Sequence, residues 1–219
     1  MGLVIFDLDG TLVDSVADMQ GCVNRMLSAE GLAPLDLPTF LTFVGNGLPH
    51  LINRVIAARD IDPDQFQRLH DIVLRLYMET PPRLTRVYPG VIAALDRLAA
   101  MGLRLGICTN KAREPARHLL EALNLSGYFA TVIGGDSLSE RKPHPLPLLS
   151  AVRAMGGGPV LYVGDSEVDA ETARRAELPF ALYTEGYRKS PVARIAHDHA
   201  FADFAELPAI AARTLGIAA

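Results

Sequence analysis

The run Leu3-Val-Ile-Phe6, followed at once by Asp7-Leu-Asp9-Gly10-Thr11, constrains this chain more than any other stretch. Four apolar residues in a row predict a strand buried on both faces, as in a parallel sheet. Two carboxylates spaced i, i+2 at its exit do not belong in a core, because carboxylates are rarely buried unless paired or bound to a metal. The carboxyl ends of parallel strands are also where open α/β sheets bind ligands. The chain returns to this pattern twice. Leu103–Cys108 reads as a strand ending in Thr109-Asn110-Lys111, and Val160–Val163 as one ending in Gly164-Asp165-Ser166, with Asp169 just beyond. Between them lies Arg141-Lys142-Pro143.

Composition narrows the function classes. With 219 residues, 49% of them hydrophobic, the chain has enough apolar side chain for a large core. A net charge of −4 gives no basic footprint, so no nucleic-acid partner is expected. No apolar run approaches ~20 residues, so no membrane span is expected. Only Met1-Gly2 precede the first strand, so no signal peptide is expected either, and the two cysteines, Cys22 and Cys108, make no disulfide framework. A cytoplasmic protein is the expectation; monomer or homodimer is left open.

From Ser15 to about residue 85 the α/β pattern is interrupted by helical spacing alone. Ser15-x-x-Asp18 has the form of a capping box. Gly31 ends that helix, Pro34 and Pro38 mark a loop, and Gly45-Asn46-Gly47 is a turn before a helix reaching about Arg59. Asp62-Pro63 opens another helix, with Phe66, Leu69, Val73, Leu76 and Tyr77 on one face, and Pro81-Pro82 stops it. Strands are expected again at 103–108, 130–133, 160–163 and 179–183, with a last helix over 205–215. The expected fold class is α/β: a doubly wound, five-stranded parallel sheet forming a Rossmann-like core from residues 1–14 and 86–219, with an inserted α-helical cap at 15–85.

Asp-x-Asp-Gly-Thr, Thr-Asn, Lys-Pro and Gly-Asp-x-x-x-Asp, in that order, resemble the haloacid dehalogenase superfamily of phosphatases over essentially the whole chain. The resemblance implies that the first strand is central. It also fits what the residues offer chemically. Asp7 is the candidate nucleophile, forming an aspartyl-phosphate. Asp9 is the candidate general acid and base. Mg²⁺ would take Asp7, the Asp9 backbone carbonyl and Asp165 as ligands. Asp169 is either a further ligand, an orienting residue or the cap of its own helix, since Ser166-x-x-Asp169 is itself a capping-box pattern. Lys142 would neutralise phosphate charge, with Gly10, Thr11, Thr109 and Asn110 holding phosphoryl oxygens.

Phe6-Asp-Leu-Asp-Gly-Thr-Leu-Val-Asp-Ser15, Val44-Gly-Asn-Gly47 with Arg54, Tyr88-Pro-Gly90, Thr109-Asn-Lys111 and Val163-Gly-Asp-Ser166 resemble the bacterial phosphoglycolate phosphatases. That resemblance implies a small phosphate ester, 2-phosphoglycolate, as substrate. In the cap, Asn46 and Gly47 are expected to reach the substrate, and His50 or Arg54, sharing a helix face, to meet its carboxylate. Ala176-Glu177-Leu178 departs from the family, which commonly has Ala-Gly there. Another small phosphate ester, a pyrophosphate or a sugar-phosphate mutation remain as alternatives, with a non-catalytic phosphate-binding protein more remote. Dehalogenation is set aside because it needs no partner such as Asp9. Phosphonate cleavage is set aside because residues 15–85 contain no lysine.

Overall fold

The computed structural model describes residues 2–217. The first strand, β1 (Leu3–Phe6), leads into a hairpin-like turn and the short β2 (Val13–Asp14). Four helices follow: α1 (Val16–Ala29), α2 (Leu37–Leu41), α3 (Gly47–Ala58) and α4 (Phe66–Glu79). Then β3 (Arg86–Val87) pairs antiparallel with β2, so the two passages of chain into and out of the helical segment lie side by side. The remainder alternates as far as β7: α5 (Val91–Ala100), β4 (Arg104–Cys108), α6 (Arg113–Ala122), β5 (Phe129–Ile133), α7 (Leu146–Ala154), β6 (Val160–Gly164), α8 (Glu167–Ala176) and β7 (Phe180–Tyr183); β8 (His199–Phe201) and α9 (Leu207–Leu215) close the chain's described elements.

The sheet runs β5-β4-β1-β6-β7-β8 and is parallel throughout. It has six strands rather than the five expected. The extra one, His199-Ala-Phe201, lies at the edge with only Phe201 buried, and is too short and too mixed for a period to appear in its sequence. As expected, β1 is interior, flanked by β4 and β6. Its alternation explains the unbroken apolar run. Val4 and Phe6 enter the cluster beneath α5, α6 and α9, while Leu3 and Ile5 enter the cluster beneath α7 and α8. All four are fully buried, as a strand covered on both faces requires.

The helical segment has a hydrophobic cluster of its own, built from Val23, Leu27, Phe40, Ile52, Val55 and Leu69 among others. α2 lies in a stretch read from its prolines as loop. Asp36 caps it by accepting the Thr39 N–H at 2.8 Å, and Pro38 sits in the first turn, where a missing N–H costs nothing. The expected capping box at Ser15 does not form. The Asp18 carboxylate instead accepts the N–H groups of Leu84 and Thr85 and the Thr85 hydroxyl, pinning the entry of the segment to its exit.

Glu177, the departure noted above, closes α8 with φ 56°, in the left-handed region. Glycine adopts that conformation without a Cβ clash, which is why helices so often end on it. Glu177→Gly is therefore expected to stabilise the protein by about 0.5–1 kcal/mol, raising the thermal midpoint by ~1–4 °C with activity unchanged. A midpoint that falls would mean that the Glu177 side chain makes a compensating contribution.

Candidate active site

Because every strand of the sheet is parallel, β1, β4 and β6 end on the same edge, and Asp7, Thr109–Lys111 and Asp165 converge there. The Asp7 N–H is held by the Val163 carbonyl at 2.9 Å. Lys142 reaches in from the loop before α7 and is 2% exposed. Its Nζ lies 3.0 Å from Asp7 Oδ1 and 2.7 Å from Asp169 Oδ1, and donates to the Tyr162 hydroxyl at 3.1 Å. Burial opposes its charge, but Asp169 and Asp7 more than offset that and hold it firmly protonated.

Asp169 is at once helix cap and cluster member. Its Oδ2 accepts the Ser166 N–H at 3.1 Å and the Ser166 hydroxyl at 2.6 Å, completing a capping box on α8. Its Oδ1 accepts Lys142 and the Tyr162 hydroxyl, both at 2.7 Å. Burial works against its charge, yet these partners, Lys142 foremost, keep its carboxyl below the ordinary range. Asp165 is 1% exposed and accepts the Thr11 hydroxyl at 2.7 Å and the Tyr187 N–H at 2.6 Å.

Asp7, Asp165 and Asp169 each present an oxygen within 4.8 Å of the others. Three carboxylates against one lysine leave an excess of negative charge in a buried place. Burial, aided by the neighbouring carboxylates, pushes Asp7 up to about 6 against the pull of Lys142, and pushes Asp165 well above its usual value. Asp7 Oδ1 faces Lys142 but accepts no well-directed hydrogen bond, so its lone pairs are open to a cation. These features suit a divalent metal ion. Asp7 and Asp165 have free lone pairs for it, whereas both oxygens of Asp169 already carry two donors.

Asp9 stands at the edge of this cluster. Its Oδ1 accepts the Ser15 hydroxyl, and Lys111 Nζ lies 3.1 Å from its Oδ2. Lys111 packs over the Tyr77 ring, 4.3 Å from the centroid. Burial disfavours its charge, but Asp9 and Tyr77 raise its proton affinity overall.

The expected phosphate-holding groups are brought together, but several of their donors are already engaged. The Gly10 N–H donates to the Val13 carbonyl at 2.8 Å and the Thr11 N–H to Leu8 at 3.3 Å, closing the turn after β1. Gly10 matters in another way: at φ 86°, a Cβ there would meet Asp165 Oδ2 at 2.5 Å. The Asn110 amide donates to the carbonyls of Gly45 and Lys142, each at 3.0 Å. Thr109 is buried, and its hydroxyl accepts the Lys111 N–H at 3.2 Å, leaving its own proton to donate.

A cavity opens above the carboxylates, walled on the far side by Met19, Val23, Leu48, Leu51, Val73 and Tyr77. Gly47 reaches it, packed so closely that a Cβ would lie 2.6 Å from the Asn110 carbonyl oxygen. Asn46, His50 and Arg54 are not among its walls. On α3 the buried face is taken by Leu51, Ile52, Val55 and Ile56, which turns His50 and Arg54 outward; the Arg54 guanidinium lies over Phe43, 5.1 Å from the ring centroid.

The loop after β7 supplies contacts that the sequence reading missed. The Tyr187 hydroxyl accepts the N–H groups of Ser15 and Val16 at 2.8 and 3.1 Å and donates to Asp14 at 2.7 Å, capping α1 in place of the Ser15 side chain. Lys189 Nζ donates to the carbonyls of Thr42 and Val44 at 3.0 and 2.8 Å. One signal was available: the sequence has only three lysines, at 111, 142 and 189, and each is at this site or its rim.

Comparison with known proteins agrees with this architecture. Residues 4–183 match the family model described as haloacid dehalogenase-like hydrolase. A phosphoglycolate phosphatase of Cereibacter sphaeroides is 48% identical over 97% of this chain and 98% of its own. One from Rhodobacter capsulatus is 44% identical over 94% and 95%. The crystal structure of a predicted phosphoglycolate phosphatase from Haemophilus somnus superposes with a TM-score of 0.89 at 33% identity, covering 95% of this chain and 96% of that one. In no described helix is there a stretch long and apolar enough to cross a membrane. On its motifs, its sheet and these relatives, the chain belongs to the haloacid dehalogenase-like hydrolases.

Proposed function

We propose that this protein hydrolyses a small phosphomonoester, 2-phosphoglycolate, to glycolate and phosphate. The observation that carries the reading is the Asp7 carboxylate. It lies at the end of the central strand, its Oδ1 lacks a directed hydrogen bond and stands 3.0 Å from Lys142, and with Asp9 it lines the cavity. The relatives named as phosphoglycolate phosphatases supply the substrate.

Asp7 attacks phosphorus and carries the phosphoryl group as an aspartyl-phosphate, while Asp9 protonates the departing oxygen and then takes a proton from the attacking water. Lys142 and the Thr109 hydroxyl meet the phosphoryl oxygens. Mg²⁺ is the proposed cation; Asp7, Asp165 and the Asp9 carbonyl would hold it, and it would supply charge that lets a carboxylate approach a phosphate dianion. Asp169 acts by fixing Lys142. Residues 15–85 act as a cap, excluding water and limiting the leaving group in size, with the core formed by 1–14 and 86–219.

The test is a panel of phosphate esters assayed side by side with Mg²⁺. 2-Phosphoglycolate is expected to give the highest kcat/KM, above sugar phosphates, pyrophosphate and p-nitrophenyl phosphate. A sugar phosphate turned over faster, or isomerised without release of phosphate, would replace this reading with one of its competitors.

A further inference from the structure

We propose that Lys111 determines specificity by binding the carboxylate of the substrate's leaving group. This rests on the reading of the site as a 2-phosphoglycolate phosphatase with Asp9 as the acid.

In 2-phosphoglycolate the leaving oxygen is separated from the carboxylate by a single methylene. A group that protonates that oxygen therefore stands next to wherever the carboxylate comes to rest. Lys111 Nζ lies 3.1 and 3.3 Å from the two oxygens of Asp9. Its side chain is 8% exposed and forms part of the cavity wall. The Tyr77 ring, reaching in from the helical segment, lies against the ammonium.

The other two lysines and the two cations expected from α3 have different engagements. Lys142 is fixed between Asp7 and Asp169. Lys189, the other lysine on the cavity wall, donates to two carbonyls. Arg54 and His50 face outward from α3. Around Lys111 the wall is largely apolar, with Met19 Sδ 4.0 Å from its Nζ. A carboxylate entering such surroundings needs a charged partner, and an ammonium already almost fully buried loses little hydration in meeting it. The carboxylate would share or replace Asp9 as the partner of Lys111, leaving the Asp9 carboxyl to the leaving oxygen.

The experiment compares 2-phosphoglycolate with ethyl phosphate, which lacks the carboxylate, in the wild type, Lys111→Met and Lys111→Arg. The quantity read is the ratio of kcat/KM for the two esters, so damage common to both through Asp9 cancels. The wild-type preference for 2-phosphoglycolate is expected to fall about 10–100-fold in Lys111→Met and to survive largely in Lys111→Arg. Should Lys111→Met turn over neither ester, dissociation constants for both are measured by calorimetry with Mg²⁺ in the Asp7→Asn protein, with and without Lys111→Met, and the same fall in preference is expected. A preference unchanged by Lys111→Met overturns the assignment of Lys111 alone. A wild type without any preference for 2-phosphoglycolate overturns the substrate reading, and the Lys111 assignment with it.

Discussion

Asp7→Asn is expected to lower kcat by about 10⁴-fold or more, because an amide cannot form the covalent intermediate on which both half-reactions depend. The fold should survive, and the physical reason lies in the cluster. A carboxyl whose folded pKa is raised above its unfolded value weakens the folded state as pH rises from the unfolded value towards the folded one. For Asp7, that window runs from the ordinary carboxyl value of 3.8 to about 6 in metal-free protein. Asparagine removes this ionisation and the repulsion from Asp165 and Asp169, at the expense of one partner of Lys142. The thermal midpoint of metal-free Asp7→Asn at neutral pH should therefore equal or exceed that of metal-free wild type. Turnover of Asp7→Asn within tenfold of wild type would remove Asp7 from the nucleophile's role.

Much of this site is legible in the sequence because its carboxylates stand at strand ends. Asp7 and Asp165 follow short apolar runs that read as buried strands, and parallel strands deliver their ends to one edge. What the sequence does not reveal is which of two equivalent local patterns will form. Ser15-x-x-Asp18 and Ser166-x-x-Asp169 are alike in form. The second makes a complete capping box, whereas in the first the serine hydroxyl turns to Asp9, the aspartate to Thr85, and Tyr187 caps the helix from 172 residues away. Local propensity is the same in both; tertiary partners decide.

The same limit governs the helical segment. His50 and Arg54 do share a helix face, as their spacing requires, but which face meets the cavity depends on the packing of Leu51, Ile52, Val55 and Ile56 against α1 and α4. Lys111 was visible beside Thr109-Asn110, yet its approach to Asp9 spans 102 residues and needs β1 and β4 to be neighbours. Likewise Asn110, placed correctly at the end of β4, uses its amide to hold the Gly45 carbonyl. The motif identified the position, and the packing of the helical segment against it sets what its donors do.

Removal of the divalent cation is expected to abolish activity and to cost stability, and the two effects should track one residue. In metal-free protein the buried Asp165 carboxyl is pushed well above its usual value by burial and by Asp169 and Asp7, so its ionisation at neutral pH opposes folding. A cation binding there relieves that repulsion and binds only the folded chain. At a concentration about 100-fold above its dissociation constant it contributes about 2.7 kcal/mol, or a rise of ~5–10 °C in the thermal midpoint of a chain this size. Activity in excess EDTA should be undetectable and should return with Mg²⁺. Asp165→Asn retains an oxygen for either the Thr11 hydroxyl or the Tyr187 N–H but lacks the charge. It is expected to fold, to need at least ~10-fold more Mg²⁺ for half-maximal activity, and to lose most of the Mg²⁺-induced rise in midpoint. The metal-free variant should unfold no earlier than metal-free wild type, since the ionisation that opposes folding is gone. Full activity in EDTA, or an undiminished Mg²⁺ shift in Asp165→Asn, would place the cation elsewhere or exclude it from the reaction.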